Sequence, residues 1–158
     1  MPLVDTLQAW RHDLLRDVAQ MIANSLGSYR APIRVVNIPL VIGSRGVALA
    51  ANDNVYFYLG LNGTLTIVSW SLAGMTSAAS VSGTVTIDVL VGTTLATVAS
   101  ICGGSPPALS SQAELVGQLP TGWTTAIADP RWICAKISSV SGGLEEAALT
   151  LRCVVDAR

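Results

Sequence analysis

The sequence predicts a mainly β fold, an antiparallel β-sandwich or jelly roll preceded by an N-terminal amphipathic α-helix. Three observations carry that prediction. Apolar residues recur at helical spacing between Leu3 and Leu26. From Ile33 onward the pattern becomes short runs rich in β-branched residues, punctuated by Gly, Pro and Asn. No helical stretch interleaves those runs, which favours antiparallel strands in two layers over a parallel α/β sheet.

The helix is read from Leu3, Leu7, Trp10, Leu14, Val18, Met21 or Ile22, and Leu26, which form one stripe, while Arg11, Asp13, Arg16, Asp17 and Gln20 fall off it. Asp5 and Gln8 are spaced as in a capping box, with a carboxylate in place of the usual hydroxyl, and Gly27 supplies the stop. A helix with a single apolar stripe packs on its own domain, pairs with copies of itself, or docks on another protein.

Residues 28–34 read as a linker, with Pro32 holding Ala31 extended. Ile33–Ile42 is β-branched, and Pro39 assigns it to a sheet edge or to an arm leaving the domain. Val47–Ala51 and Val55–Leu59 flank Asn52-Asp53-Asn54, side chains that tolerate the left-handed geometry of a turn. Thr64–Leu72 follows a turn at Asn62-Gly63. Thr84–Leu90 alternates, with Val85, Ile87 and Val89 on one face and Thr84, Thr86 and Asp88 on the other. Leu95–Ile101 reads as a strand, Gly103–Gln112 as a loop around Pro106 and Pro107, and Trp132–Val140 and Ala147–Val155 as the closing strands.

Composition narrows the function. A chain of 158 residues suits one domain with an appendage. Charged residues make up only 12%, against about 25% in ordinary soluble domains, so the surface is poor in charge. No apolar run reaches the roughly 18 residues of a membrane span. Asp5, Asp13 and Asp17 sit where a signal peptide needs a basic start and an apolar centre. A net charge of −1 and a single lysine, Lys136, offer no footprint for nucleic acid. Residues 1–46 carry five Arg against three Asp, and residues 47–158 four basic against seven acidic side chains, a weak asymmetry that suits docking of the N-terminal part on an acidic surface or no role at all.

No motif spells out a reaction. The only histidine, His12, lies on the N-terminal helix, remote from any candidate nucleophile of the β domain. Glu145 and Glu146 are adjacent, and neighbouring strand side chains point to opposite faces, so they do not share a proton. Cys102, Cys134 and Cys153 lack zinc or redox spacing and read as buried free thiols from a reducing compartment. Asp53, Asp88 and Asp129 are isolated, and Gly103-Gly104 lacks the lysine of a phosphate loop. The expectation is no enzyme, no cofactor and no metal. Trp70, Trp123 and Trp132 read as core or subunit-interface residues before sugar-stacking ones.

Five segments occur in an order that resembles a β-module of tailed-bacteriophage virion proteins, of the capsid decoration, head-fibre or tail-fibre type. They are Leu-Asn-Gly-Thr-Leu-Thr-Ile-Val-Ser-Trp at 61–70, Ser-Gly-Thr-Val-Thr-Ile-Asp-Val at 82–89, Ile-Cys-Gly-Gly-Ser-Pro-Pro-Ala-Leu-Ser-Ser-Gln at 101–112, Trp-Thr-Thr-Ala-Ile-Ala at 123–128 and Ala-Leu-Thr-Leu-Arg-Cys-Val-Val at 148–155. The resemblance covers roughly residues 55–156. It implies a β-sandwich or jelly roll displayed on the particle, commonly as a homotrimer, with no catalytic residues. One departure is Asp129-Pro130-Arg131, where a Gly-Asp turn is expected after Ile-Ala.

The expectation is therefore a capsid decoration (cement) or head-fibre protein, assembled in the host bacterial cytoplasm and carried on the virion surface. Residues 1–46 form the N-terminal helix and extended anchoring arm, and residues 47–158 the sandwich. Its partners are itself and the major capsid protein or another virion protein. Leu7, Trp10, Leu14 and Val18 are the anchoring contacts, with Arg30 and Arg34 as polar partners. The rival readings are a host-attachment module binding a surface glycan through Trp123 or the Pro106-Pro107 loop, and a tail or neck adaptor.

Overall fold

The computed structural model describes residues 34–61, 63–76 and 83–157. The chain divides between Pro32 and Ile33. The N-terminal helix expected over Leu3–Leu26 and the linker after it, up to residue 33, lie outside the described residues.

Among the described residues the second unit has ten strands: β1 (Arg34–Gly43), β2 (Asn54–Tyr58), β3 (Gly63–Met75), β4 (Thr84–Gly92), β5 (Ala99–Ser100), β6 (Ala108–Ser110), β7 (Glu114–Gln118), β8 (Ala126–Ala128), β9 (Trp132–Ser141) and β10 (Glu146–Ala157). One sheet runs β1-β10-β3-β7, with β8 also on β3; the other runs β2-β9-β4-β5, with β6 also on β4. Every pairing is antiparallel. β7 and β8 pair with opposite ends of β3, and β5 and β6 with opposite ends of β4. Taking each of these as one interrupted strand leaves eight strands shared between two four-stranded sheets in jelly-roll order, the chain changing sheet at every step but that from β4 to β5/β6.

Alternation in sequence decides which side chains meet between the sheets. Ile38, Leu40 and Ile42 of β1, Leu65, Ile67 and Leu72 of β3, Val85, Ile87 and Val89 of β4, Ile133, Ala135 and Ile137 of β9, and Ala147, Leu149, Leu151 and Cys153 of β10 form one continuous core. β3, β4, β9 and β10 sit inside their sheets and each carries four buried apolar side chains. Thr84, Thr86 and Asp88 fall on the opposite face of β4 from its core residues, as the alternation requires.

Several sequence boundaries need correction. Arg34–Gly43, assigned from sequence to the anchoring arm, pairs along its whole length with β10, so the boundary at 46/47 falls inside the sandwich. β1 is an edge strand, where Pro39 costs no ladder hydrogen bond. Val47–Ala51 is not a strand. Val47 makes a single bridge to Ser44, and the amides of Leu49 and Asn52 go instead to the Leu144 and Ile137 carbonyls. Asn52 takes φ 77°, the left-handed turn its side chain tolerates. Within Leu95–Ile101, expected as one strand, Leu95–Thr97 forms a 3-10 turn and only Ala99–Ser100 pairs. Thr94 and Thr97 cap that turn through each other's side chains, a local bond that competes with the ladder. The loop assigned to Gly103–Gln112 contains β6, and β7 and β8 complete the edges of the sandwich.

The departure at Asp129-Pro130-Arg131 resolves into a clamp. Asp129 is left-handed (φ 45°), its amide donates to the Gly63 carbonyl, and its Oδ1 accepts from the Gly63 amide at 2.8 Å.

Candidate functional site

The carboxylates face structural partners. Asp53 Oδ2 accepts the Ala50 amide, Glu145 Oε2 accepts the Gly46 amide across 99 residues of sequence, and Asp88 Oδ1 accepts the Ser100 hydroxyl at 2.5 Å. Glu146 is half-buried in β10. Among the described residues no group of three or more His, Cys, Asp or Glu is placed to hold a metal, and no helix is long and apolar enough to cross a membrane. The three cysteines are free and buried. Burial pushes the Cys102 and Cys153 thiols up to about 12. Burial also raises Cys134, against the opposing pull of the Tyr56 hydroxyl and Lys136.

The residues named from sequence separate. Leu7, Trp10, Leu14, Val18 and Arg30 lie outside the described residues. Arg34 opens β1 and is exposed. Trp123, offered as a glycan contact, is a core residue at 9% exposure whose indole N–H donates to the Ser105 carbonyl at 2.8 Å. Pro107 is buried and Pro106 half-buried. The Pro106-Pro107 loop is held down by that indole bond and by Gly103 (φ 56°), which packs so closely on the Gly122 carbonyl that no side chain fits. Trp123 is thus spent on packing, and the aromatic surface lies elsewhere.

That surface is the outer face of the β2 sheet. β2 reads Asn-Val-Tyr-Phe-Tyr, and register decides where each side chain points. Val55 and Phe57 oppose the core residues Ala135 and Ile133, so both turn toward the sandwich interior, Phe57 only in part at the rim. Tyr56 and Tyr58 turn outward opposite Cys134 and Trp132. Tyr58 is 57% exposed and packs on Trp132, ring centroids 4.9 Å apart and tilted by 56°. Trp132, also grouped from sequence with core or interface residues, is half-buried on this outer face. A Cβ at Gly60 (φ 56°) would come within 3.1 Å of the Tyr58 ring, so the absence of a side chain there leaves the ring its room.

Three cross-strand rows follow. The first is Tyr58–Trp132–Gly92, the second Tyr56–Cys134–Leu90–Ser100, and the third Asn54–Lys136–Asp88. Over Gly92 lies the backbone of Thr97 and Val98, so the 3-10 turn stands up from the sheet beside the aromatic row. On the far side of β4, Val91, Gly92, Ser100, Ile101, Ala126 and Ile127 line an open groove of about 340 Å³. Sequence reasoning missed the aromatic row although Tyr-Phe-Tyr stands plainly in β2. Its partner Trp132 is 74 positions further along from Tyr58, and only register brings the two together.

The outer face of the β1 sheet is different. Its rows are Val35–Val154–Thr66, Asn37–Arg152–Ser69, Pro39–Thr150–Ser71 and Val41–Ala148–Ala73–Glu114, with Arg152 as the one charge of the first three and Glu114 and Glu146 at one end of the face. Val35 and Val41 are 57% and 46% exposed.

The sequence matches no family model and no curated protein. Solved structures overlap it loosely. One is the CBM32 of AlyQ in complex with 4,5-unsaturated mannuronic acid, at 13% identity over 72% of this chain and 75% of that one, TM-score 0.41. Another is the N-terminal cellulose-binding domain of Cellulomonas fimi β-1,4-glucanase C, at 17% identity over 76% and 88%, TM-score 0.38. A third is a chain of Sulfolobus Turreted Icosahedral Virus, at 10% identity over 82% of this chain and 31% of that one, TM-score 0.36. Overlaps at this level assign no role to any residue, and the functional reading rests on the side chains themselves.

Proposed function

We propose that this chain is a non-enzymatic virion structural protein, a capsid decoration or head-fibre protein of a tailed bacteriophage that binds the shell and stabilises it. The observation that supports the reading is the outer face of the β1 sheet, where the three rows led by Val35, Asn37 and Pro39 hold Val, Asn, Pro, Ser and Thr around the single charge of Arg152, with Glu114, Glu146 and Asp156 only at the ends of the face. Interface cores are depleted in charge in this way, whereas a strand edge left bare in solution is usually blunted by charge. The copies it packs against are its own, as a homotrimer, and the major capsid protein. The N-terminal stripe of Leu7, Trp10, Leu14 and Val18, with Arg30 and Arg34, supplies the anchor. A ligand that prefers the assembled lattice stabilises it by mass action, which requires no chemistry from the chain. Its three unpaired thiols suit assembly in the reducing bacterial cytoplasm.

Gel densitometry of purified particles tests this. A ratio to the major capsid protein near one, or near a simple fraction, is the expected result. A small minority of copies moves the protein to a vertex, neck or tail, and absence from particles overturns the virion reading. Leu7→Asp with Leu14→Asp is expected to release the protein from particles, and full occupancy in that variant removes the anchor. The aromatic row on the outer face of the β2 sheet favours a second reading, a host-attachment module on the same particle.

A further inference from the structure

The outer face of the β2 sheet carries an aromatic row and a polar row on one rigid surface, with the Tyr56–Cys134–Leu90 row between them. Tyr58 packs on Trp132 before any ligand arrives, and its ring lies close enough to Gly60 that a Cβ there would crowd it. Tyr56 lies outward opposite the buried Cys134. Along the same strands Asn54, Lys136 and Asp88 stand in register, and the Ser100 hydroxyl donates to Asp88 Oδ1. Successive rows on one face are about 7 Å apart, two residues of strand.

We propose that this face binds an uncharged hexopyranose oligosaccharide, with ring faces stacked on Tyr58, Trp132 and Tyr56 and hydroxyls bonded to Asn54, Lys136 and Asp88. The proposal rests on the host-attachment reading and names its site. The chemistry selects the ligand class. A pyranose has an apolar C–H face and a rim of hydroxyls that both donate and accept. The surface matches both, since aromatic rings with an apolar body take the first and a row holding an amide, an ammonium and a carboxylate takes the second. A lipid or an apolar helix desolvates Asp88 and Lys136 while supplying no hydrogen bonds for the capacity that Ser100 leaves unmet, which is costly. A polyanion meets one cation directly opposite one carboxylate, with no net positive field to draw it in. A ring already packed on a neighbour loses less freedom on binding than a free one, which helps a shallow contact retain affinity.

The full chain is applied to an array of hexopyranose oligosaccharides and purified bacterial surface polysaccharides, including cellohexaose, maltoheptaose and chitohexaose. The strongest binder is then titrated by amide-resolved NMR. The expected result is weak binding with shifts confined to β2, β9 and β4. Tyr58→Ala, an exposed edge position, is expected to weaken it about tenfold. Asp88→Asn and Lys136→Met are each expected to weaken it several-fold, and Trp123→Phe in the core to leave it unchanged. Gly60→Ala, which displaces the Tyr58 ring but keeps every side chain of the site, is a second probe expected to weaken binding in a folded protein. No bound glycan, or binding indifferent to Tyr58→Ala, overturns the proposal. So does a change of oligomeric state with Tyr58→Ala in place of lost glycan binding, which would make the face a contact between copies. Particle occupancy is measured separately: a glycan binder absent from virions keeps this site and loses the virion reading, and a shell protein with no glycan does the reverse.

Discussion

Cys102, Cys134 and Cys153 illustrate how far a single residue can be read. Their spacing excludes a zinc or redox motif, and they read as buried side chains, as all three are. The fold adds two things that spacing does not contain. Cys102 Sγ accepts the Val89 amide at 3.3 Å, bonding the edge of β4 where β5 has ended. Cys134 is buried on the outer face of its sheet, apart from the core shared by the other two. Burial also gives a pH dependence. The unfolded thiols ionise near 9.0, while Cys102 and Cys153 hold their protons to about 12 in the fold. Above pH 9 the unfolded chain therefore binds fewer protons than the folded one. The stability these thiols contribute is complete below pH 9 and lost as pH rises toward 12, at a slope of up to about 1.4 kcal/mol per pH unit for each. Urea midpoints between pH 8 and 11 are expected to fall, and Cys153→Ala to reduce the slope; an unchanged slope in that variant would remove the thiols as its cause.

At the scale of elements, the strands with clean alternation were legible and the short ones were not. Thr84–Leu90 and Ala147–Val155 declare both their conformation and their buried face, because every second residue is apolar. β5, β6 and β8 are two or three residues long, too short for any period, and exist because β3 and β4 are long enough to pair with two partners each. β1 shows the opposite error. Its residues read correctly as extended, yet an extended segment ending at an edge looks the same in sequence whether it pairs or leaves. Its pairing with β10 makes it structural, with Ile38, Leu40 and Ile42 in the core. Losing it would strip three large apolar side chains from the core and expose the edge of β10, at about 1.5–3 kcal/mol for each side chain. A chain beginning at Val47 is therefore expected to lack the cooperative unfolding transition of the full chain when followed by far-ultraviolet circular dichroism. A native-like melt from it would show β1 to be dispensable.

For the whole molecule, the two outer faces divide the surface into a sheet whose central rows of Val, Pro, Ser and Thr hold only Arg152 as a charge, and an aromatic-and-polar one. Assembly through the first makes a specific demand. Val41→Glu with Thr150→Glu places two carboxylates on exposed or half-buried positions of that face and removes no core contact. The isolated chain is expected to keep its stability within about 0.5 kcal/mol per site, while occupancy on particles or trimer content by light scattering drops sharply because buried like charges oppose docking. Unchanged assembly would reassign the interface to another face.

Alternation, turn chemistry and the low charge content determined by themselves that this is an antiparallel β-sandwich with a single core, and that its thiols are buried. These depend on neighbours along the chain and on solvent. The tertiary structure alone decided which aromatic residues share a surface. Tyr58 and Trp132 meet through strand register, and Trp123 is withdrawn into the core by a hydrogen bond to a loop 18 residues away. A side chain's partner across a sheet is set by where strands pair, and no local pattern around Tyr58 encodes that Trp132 will stand beside it.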